Sequence, residues 1–333
     1  MRLSVIVPIY GVARYLWRAL ESLREQSAEG VEYILVDDGS KDGCGAIVDI
    51  CARKDKRFIA VHQENGGYGK AVNKGLAMAK GEYIAIFEPD DWVEPDFYVG
   101  LLKRAEETKA DIVKTGFVDF FDDGRPGGSG IAASFDGESK EGADFTIEKC
   151  PKLLAQHPSI WSAIYNRAFL EREGIVMEET PGACWQDNLF QVKTALKAKS
   201  IAFAPGRGYH YRVFPGKRAP EPKRILGVVG GIRDWMEENG VGAPEVVAAE
   251  AMRELWYVGL AFEWKRPFRL VGIMRRIRKD LRSVPENRLR ELGILADRMR
   301  SRYGWAKAGV ILGLLRQALP QLRYWIEGKI RCM

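Results

Sequence analysis

Two apolar runs in this chain end in clustered carboxylates, and that pattern limits the fold more than any other feature. Tyr33-Ile34-Leu35-Val36 runs into Asp37-Asp38-Gly39-Ser40, and Tyr83-Ile84-Ala85-Ile86-Phe87 runs into Glu88-Pro89-Asp90-Asp91-Trp92. Leu3-Ser4-Val5-Ile6-Val7-Pro8 is a third run of mostly β-branched residues. Strands apolar at successive positions are buried on both faces, as in a parallel sheet wrapped by helices. In such sheets ligands bind at the carboxyl ends of the strands. Carboxylates at the ends of two neighbouring parallel strands would repel one another, so a counter-ion is expected there. A divalent metal carrying a phosphate would supply it.

Helical periodicity fills the gaps between the runs. Residues 12–26 place Val12, Leu16, Ala19, Leu20 and Leu23 on one face,. Residues 42–54, 69–80 and 95–108 also read as helices, with Gly81 as a C-terminal cap of the third,. Strands are expected at 58–62 and 111–117. This alternation predicts an α/β class, with a mostly parallel sheet, helices on both faces and right-handed crossovers. Residues 122–142 read as a loop or hairpin over the sheet edge, 146–156 and 187–198 as helices, and 201–203 as a strand. Three prolines mark 213–223 as a linker,. The expected division is a ligand-binding domain over 1–215 and a basic, mostly helical lobe over 216–333.

Five scattered cysteines with no C-x-x-C pair suggest reduced thiols in a cytosolic setting,. No signal peptide is read at the start, and no run approaches the roughly 20 apolar residues of a membrane span. The net charge of +6 is unevenly spread. Residues 251–333 hold about 19 Lys/Arg against about 7 Asp/Glu, so the rest is net acidic,. Arg266 to Arg282 alternates basic and apolar residues, and 308–315 is apolar with basic flanks. Such helices can lie on an anionic membrane surface, or pack as a lobe with a charged outer face. A cytoplasmic protein, peripheral on the inner face of the membrane, follows from the first reading. Nucleic acid is disfavoured as a partner, because no recognised module accompanies the charge.

Pro8, Tyr10 and Asp38 would stand side by side at adjacent strand ends. Tyr10 can stack on a uracil ring, and a carboxylate of the Asp37-Asp38 pair can accept its N3–H, which cytosine lacks. The alternative is a turn whose acid caps the next helix. Asp90 is the expected direct ligand of a metal on a diphosphate, with Glu88 acting on the metal through water or a second bond. The alternative there is a helix-capping Asp-Asp. Lys70, after Gly67-Tyr68-Gly69, could meet phosphate or remain solvated. His62 and His157 read as structural.

Taken in order, Ser4-Val5-Ile6-Val7-Pro8-Ile9-Tyr10, Val36-Asp37-Asp38-Gly39-Ser40, Asn65-Gly66-Gly67, Asn73-Lys74-Gly75-Leu76, Ala79-Lys80-Gly81-Glu82-Tyr83 and Asp90-Asp91-Trp92 resemble family 2 glycosyltransferases over about the first 215 residues. The resemblance implies the GT-A fold and inverting transfer from a UDP-sugar, with Mg²⁺ or Mn²⁺. It puts Pro8, Tyr10 and Asp38 at the nucleoside and Asp90 at the metal-diphosphate. Asp187, in Cys184-Trp185-Gln186-Asp187-Asn188, falls where the family's Glu-Asp pair carries the general base; a plain helix cap is the alternative. Arg212 matches an aromatic-Arg string that meets phosphate, with Lys217 and Arg218 as further candidates. His210 is read as an extra metal ligand or a plain hydrogen-bonding histidine. Three residues depart from the family pattern: Glu88 replaces Asp, Pro89 replaces a small residue, and Gln186 replaces Glu. The implied acceptor is a hydroxyl of a surface glycan or a lipid-linked saccharide. Two rivals are a sugar nucleotidyltransferase, which lacks its Gly-rich loop here, and a non-catalytic relative that binds nucleotide or membrane.

Overall fold

The computed structural model describes residues 1–122, 126–129, 145–154, 157–182, 185–214 and 222–260, with Ile273, Arg276, Ile277, Lys279 and Asp280. The chain divides into two compact units, Met1–Thr146 with Pro158–Lys217, and Ile147–His157 with Arg218–Met333.

In the first unit, β1 (Leu3–Ile9) and β2 (Val31–Asp37) are buried at every position, as their mostly apolar sequences require, and the buried Ser4 donates to Glu32,. With β3 (Phe58–His62), β4 (Tyr83–Ile86), β6 (Ile112–Lys114), β9 (Ala163–Asn166) and β10 (Ile201–Phe203), they form a sheet of order β10-β6-β9-β4-β1-β2-β3. β4, β1, β2 and β3 pair in parallel, β10 pairs in parallel with β6, and β9 runs antiparallel to both its neighbours. The sheet is therefore mixed and mostly parallel. β1 separates β2 from β4, so the two acidic clusters flank β1 rather than ending neighbouring strands. Strands are about 4.8 Å apart, which puts the clusters roughly 10 Å apart and weakens the repulsion expected between them.

The helices α1 (Ala13–Arg24), α2 (Cys44–Lys54), α3 (Tyr68–Met78) and α4 (Phe97–Thr108) follow the expected periodicity. α1 buries Leu16, Ala19, Leu20 and Leu23. α3 ends at the extended residue Ala79, so Gly81 is not its cap. Gly81 is required by close approach instead: a Cβ there would stand 2.5 Å from Ser4 N and 2.7 Å from Leu3 C.

The run 111–117 is not one strand. It breaks at Thr115 and Gly116, whose amides turn to Ser162 O at 2.9 Å and Gly206 O at 3.3 Å. Phe117–Phe120 then forms β7 of a second sheet, with β5 (Trp92–Val93), β8 (Pro126–Ser129) and β11 (Tyr209–Arg212) in the order β5-β11-β7-β8. β8 pairs antiparallel with β7, giving the hairpin expected in 122–142; the remainder of that stretch lies outside the described residues. α5 (Arg167–Arg172) follows β9, and α6 (Gln186–Lys197) precedes β10.

In the second unit, the helix expected over 146–156 is replaced by a single 3-10 turn at Pro151–Leu153. A proline at the centre of that span has no N–H for the helical ladder. α7 (Pro222–Glu238) and α8 (Pro244–Leu260) are joined by one buried ion pair, Arg233–Glu254, beside which two others lie. Arg233 Nε lies 2.8 Å from Glu254, and Arg233 Nη2 lies 2.8 Å from Asp280. Arg253 pairs with Glu250 at 2.7 Å, while burial pushes the Glu250 carboxyl up to about 7. Arg276, one of the basic residues read as membrane-facing, turns to Glu254 at 3.4 Å. The apolar stretch 308–315, Lys217 and Arg218 lie outside the described residues. Among the described residues no helix is long and apolar enough to cross a membrane. Cys44 and Cys51 are free thiols.

Candidate active site

The carboxyl ends of β1, β2 and β4 open at one edge of the large sheet. β1 and β2 run in register from Leu3↔Val31 to Ile9↔Asp37. Tyr10 therefore leaves β1 beside Asp38, whose amide donates to Ile9 O at 2.9 Å. Tyr10 is 55% exposed, so its ring is available to stack, whereas Pro8 is sealed within the strand.

The first acidic pair has protein partners of its own. Asp37 Oδ1 accepts from Ser40 N at 3.1 Å, and its Oδ2 lies 3.1 Å from His62 Nδ1. His62 also reaches Asp49 at 3.1 Å, and these two carboxylates raise its pKa. Asp37 thus ties the end of β2 to Ser40 and to His62 of β3.

Asp38 is 2% exposed. Its Oδ1 accepts from Gln63 Nε2 and Gly66 N, each at 2.8 Å, and its Oδ2 from Gly67 N at 2.8 Å. Asn65 Nδ2 adds a bond to its carbonyl at 3.0 Å. A carboxylate offers about four lone-pair sites; two here clamp Gly66 and Gly67, a third takes Gln63, and Oδ2 keeps one further site,. The loop opens α3, and the stem of Lys70 lies over Gly66 while the residue itself is exposed.

The second acidic cluster is a closed turn. Asp91 N donates to Glu88 O at 3.1 Å. The Asp91 carboxylate is buried, accepting from Tyr209 Oη at 2.8 Å and from Arg212 N at 2.7 Å. Burial, then the adjacent Asp90, raises its pKa well above the ordinary carboxylate range. Tyr209 Oη also accepts from Glu88 N at 3.2 Å. Asp91 and Tyr209 therefore fix β11 against the turn, a pair that sequence reading missed. The signal was present in the doubled Asp, since one carboxylate can bind a ligand while its neighbour anchors the turn.

Arg212 and His210 both have protein partners. Arg212 is 4% exposed; its Nε donates to Asp90 O at 2.6 Å, its Nη1 pairs with Asp122, and its guanidinium lies over Tyr15 and Phe120. The guanidinium so enclosed holds the Asp90 backbone. His210 stacks on Trp92 at 3.5 Å and bonds Glu94 Oε1 at 3.1 Å. Burial lowers its pKa, and its partner is Glu94 rather than Asp90 or Glu88.

Glu88 is bound from another direction. Tyr68 Oη, in the first turn of α3, donates to Glu88 Oε1 at 2.6 Å. The Tyr68 pKa is raised well above its usual value, first by burial, then by Glu88, and also by the charge of Asp187. Asp187 sits in the first turn of α6, and Asn188 Nδ2 bonds its Oδ1 at 3.0 Å. Glu88, Tyr68 and Asp187 therefore share one locality.

Among the described residues no group of three or more His, Cys, Asp or Glu could hold a metal ion unaided. Asp90, in an anchored turn, supplies a hard oxygen of the kind Mg²⁺ or Mn²⁺ takes when a diphosphate and water complete the coordination. The donor set fits such an ion.

Comparison with known proteins agrees with this geometry. The model of the family described as glycosyl transferase family 2 matches residues 4–174. EpsH of Bacillus subtilis (strain 168) is 32% identical over 213 residues, which cover 63% of this chain and 60% of that protein. The glycosyltransferase GlyG of Streptococcus pneumoniae serotype 4 is 43% identical over 112 residues, 33% of this chain and 37% of that one. The chain thus spans less than two thirds of the length of these relatives. The crystal structure of S. aureus TarS 1-349 in complex with UDP-GlcNAc superposes with a TM-score of 0.69 at 21% identity, covering 97% of this chain and 92% of that one. At that identity the likeness shows the fold, which is GT-A.

Proposed function

The chain belongs to glycosyl transferase family 2, and from that premise we propose that it transfers a sugar from a UDP-sugar to a hydroxyl of a surface glycan or lipid-linked acceptor, with inversion. One observation carries this reading: the Tyr68 phenol, bonded to Glu88, also lies in the field of Asp187. In this reading the turn that would hold the diphosphate lies near the helix that would bear the base.

In this reading Tyr10 stacks on the base, and Asp38 offers its remaining Oδ2 lone pair to the uracil N3–H. Lys70 meets phosphate from the rim. Asp90 would hold a Mg²⁺ or Mn²⁺ ion, which would supply positive charge to the leaving diphosphate. Asp187 accepts the proton of the acceptor hydroxyl as its oxygen attacks the anomeric carbon from the side opposite the diphosphate. The bond to the diphosphate breaks, the configuration inverts and UDP departs.

Two of the departures from the family pattern, Glu88 and Gln186, have partners that suit this reading. The extra methylene of Glu88 reaches Tyr68, and the amide of Gln186 donates where a carboxylate could not. Neither substitution calls for a non-catalytic role. The catalytic domain is assigned to 1–215, and the basic region 216–333 to the acceptor or an anionic membrane surface.

A panel of UDP-sugars tests the reaction. Metal-dependent release of UDP is the expected outcome; release of pyrophosphate, or no turnover of any donor despite UDP binding, would overturn it.

A further inference from the structure

Gln186 stands where the family pattern has Glu, and its amide is spent on the segment that leads to it. Nε2 donates to Thr180 Oγ1 at 2.8 Å and Gly182 O at 2.9 Å, and lies 3.3 Å from Thr180 O. Carbonyls only accept, so the NH2 end of the amide must face them. A carboxylate in this position, in a residue 5% exposed, would set its oxygens against two carbonyls,.

That segment, the strap 177–182, is also fastened to α3. Asn73 Oδ1 accepts from Met177 N at 2.8 Å, and its Nδ2 donates to Met177 O and Glu179 Oε1, each at 2.9 Å. Lys193 of α6 bonds Glu178 at 2.6 Å. A Cβ on Gly69 would stand 1.9 Å from Glu178 O, and one on Gly67 2.9 Å from Thr180 O. The strap therefore lies directly on the helix backbone. Past it, Trp185 takes the left-handed region at φ 62, a conformation a bulky residue keeps only when its surroundings hold it,.

We infer that Gln186 is a positioning residue: its amide ties the strap 177–182 to the first turn of α6 and so fixes the placement of the neighbouring Asp187. The inference rests on the reading of Asp187 as the base. α3 then serves both halves of the reaction, since its N-terminal loop is clamped by Asp38 and its flank carries the strap.

The test replaces Gln186 with Glu and with Ala in the full chain. Two quantities are followed across a range of pH: amide hydrogen exchange over 177–182, and kcat and KM for UDP release from UDP-GlcNAc with Mn²⁺. A buried Glu keeps its proton to higher pH than usual and can then donate; once ionised it cannot. Q186E should lose strap protection and roughly tenfold or more in kcat at high pH, with KM little changed, and regain both as the pH falls. Q186A should lose both at every pH. Wild-type protection and kcat for Q186E at high pH would overturn the inference. D187N should lose turnover yet keep the strap protected. If D187N turns over normally, the base assignment fails, while exchange in Q186E still decides whether Gln186 holds the strap. If Q186E does not fold, N73A releases the other end of the strap and should lose the same protection; full protection in N73A would also overturn the inference.

Discussion

The Tyr68 phenol donates to Glu88 Oε1 at 2.6 Å, joining the first turn of α3 to the turn that follows β4. Glu88 also gives its amide to Tyr209 Oη, so this single residue is held by two tyrosines from opposite sides. The extra length of Glu over Asp is what allows the reach to Tyr68.

Removing only that hydroxyl tests its worth. Y68F leaves the ring packed and strips Glu88 of a buried donor, a loss of about 1–3 kcal/mol. UDP release should fall roughly tenfold in kcat, with UDP affinity nearly unchanged. Equal losses in kcat and UDP affinity would place Tyr68 at the nucleotide instead.

Asp187→Asn keeps the shape of the α6 first turn but cannot take a proton. Transfer should fall by roughly 10²–10⁴-fold while UDP still binds. Titration calorimetry with UDP and Mn²⁺, set beside a turnover assay, separates the two quantities.

Asp38→Asn should cost nucleotide selection and stability together. Three donors converge on this carboxylate, and an Asn NH2 would face at least one of them. Affinity for UDP should drop more than affinity for CDP, and the melting temperature should fall. Equal losses for the two nucleotides would make Asp38 a loop clamp alone.

The strands that build the site were legible because their burial is complete. β1, β2 and β4 carry apolar residues at successive positions, and only a sheet covered on both faces accepts that,. β9 was missed because Ala163–Asn166 is four residues long and sits within an apolar stretch without period,. Residues 111–117 read as one strand because nothing local signals that Thr115 and Gly116 turn to carbonyls far along the chain. The site shows the same division. Acidic side chains at strand ends could be named from the sequence, but their partners could not. His62, Gln63, Tyr68 and Tyr209 lie 20 to 121 residues from the acids they serve. For that reason the protein partners of Asp37, Arg212 and His210 could not be named from the sequence.

Lys114 gives a pH-dependent prediction apart from catalysis. Its amine is buried among Ser159 O at 2.8 Å, Ser159 Oγ at 3.0 Å and Ser162 Oγ at 3.3 Å, and burial pulls its pKa from 10.5 down to about 7. Between those two values the unfolded chain binds a proton that the folded chain does not, so folding stability rises with pH across that window. Below about 7 both states are protonated and the slope vanishes. Denaturant unfolding at several pH values should show this rise in the wild type and lose it in K114M. An unchanged slope in K114M would assign it to another group.

The central claim is that one edge of the sheet binds the nucleotide through Asp90 and a metal while Asp187 performs the chemistry. The most direct measurement is UDP release from a UDP-sugar panel by the wild type, D90A and D187N, each with Mn²⁺ and with EDTA, alongside UDP binding by calorimetry. The account expects release by the wild type only with metal, weakened metal-dependent binding in D90A, and intact binding without release in D187N. Near-normal release by D187N, or metal-independent binding unaffected by D90A, would contradict it.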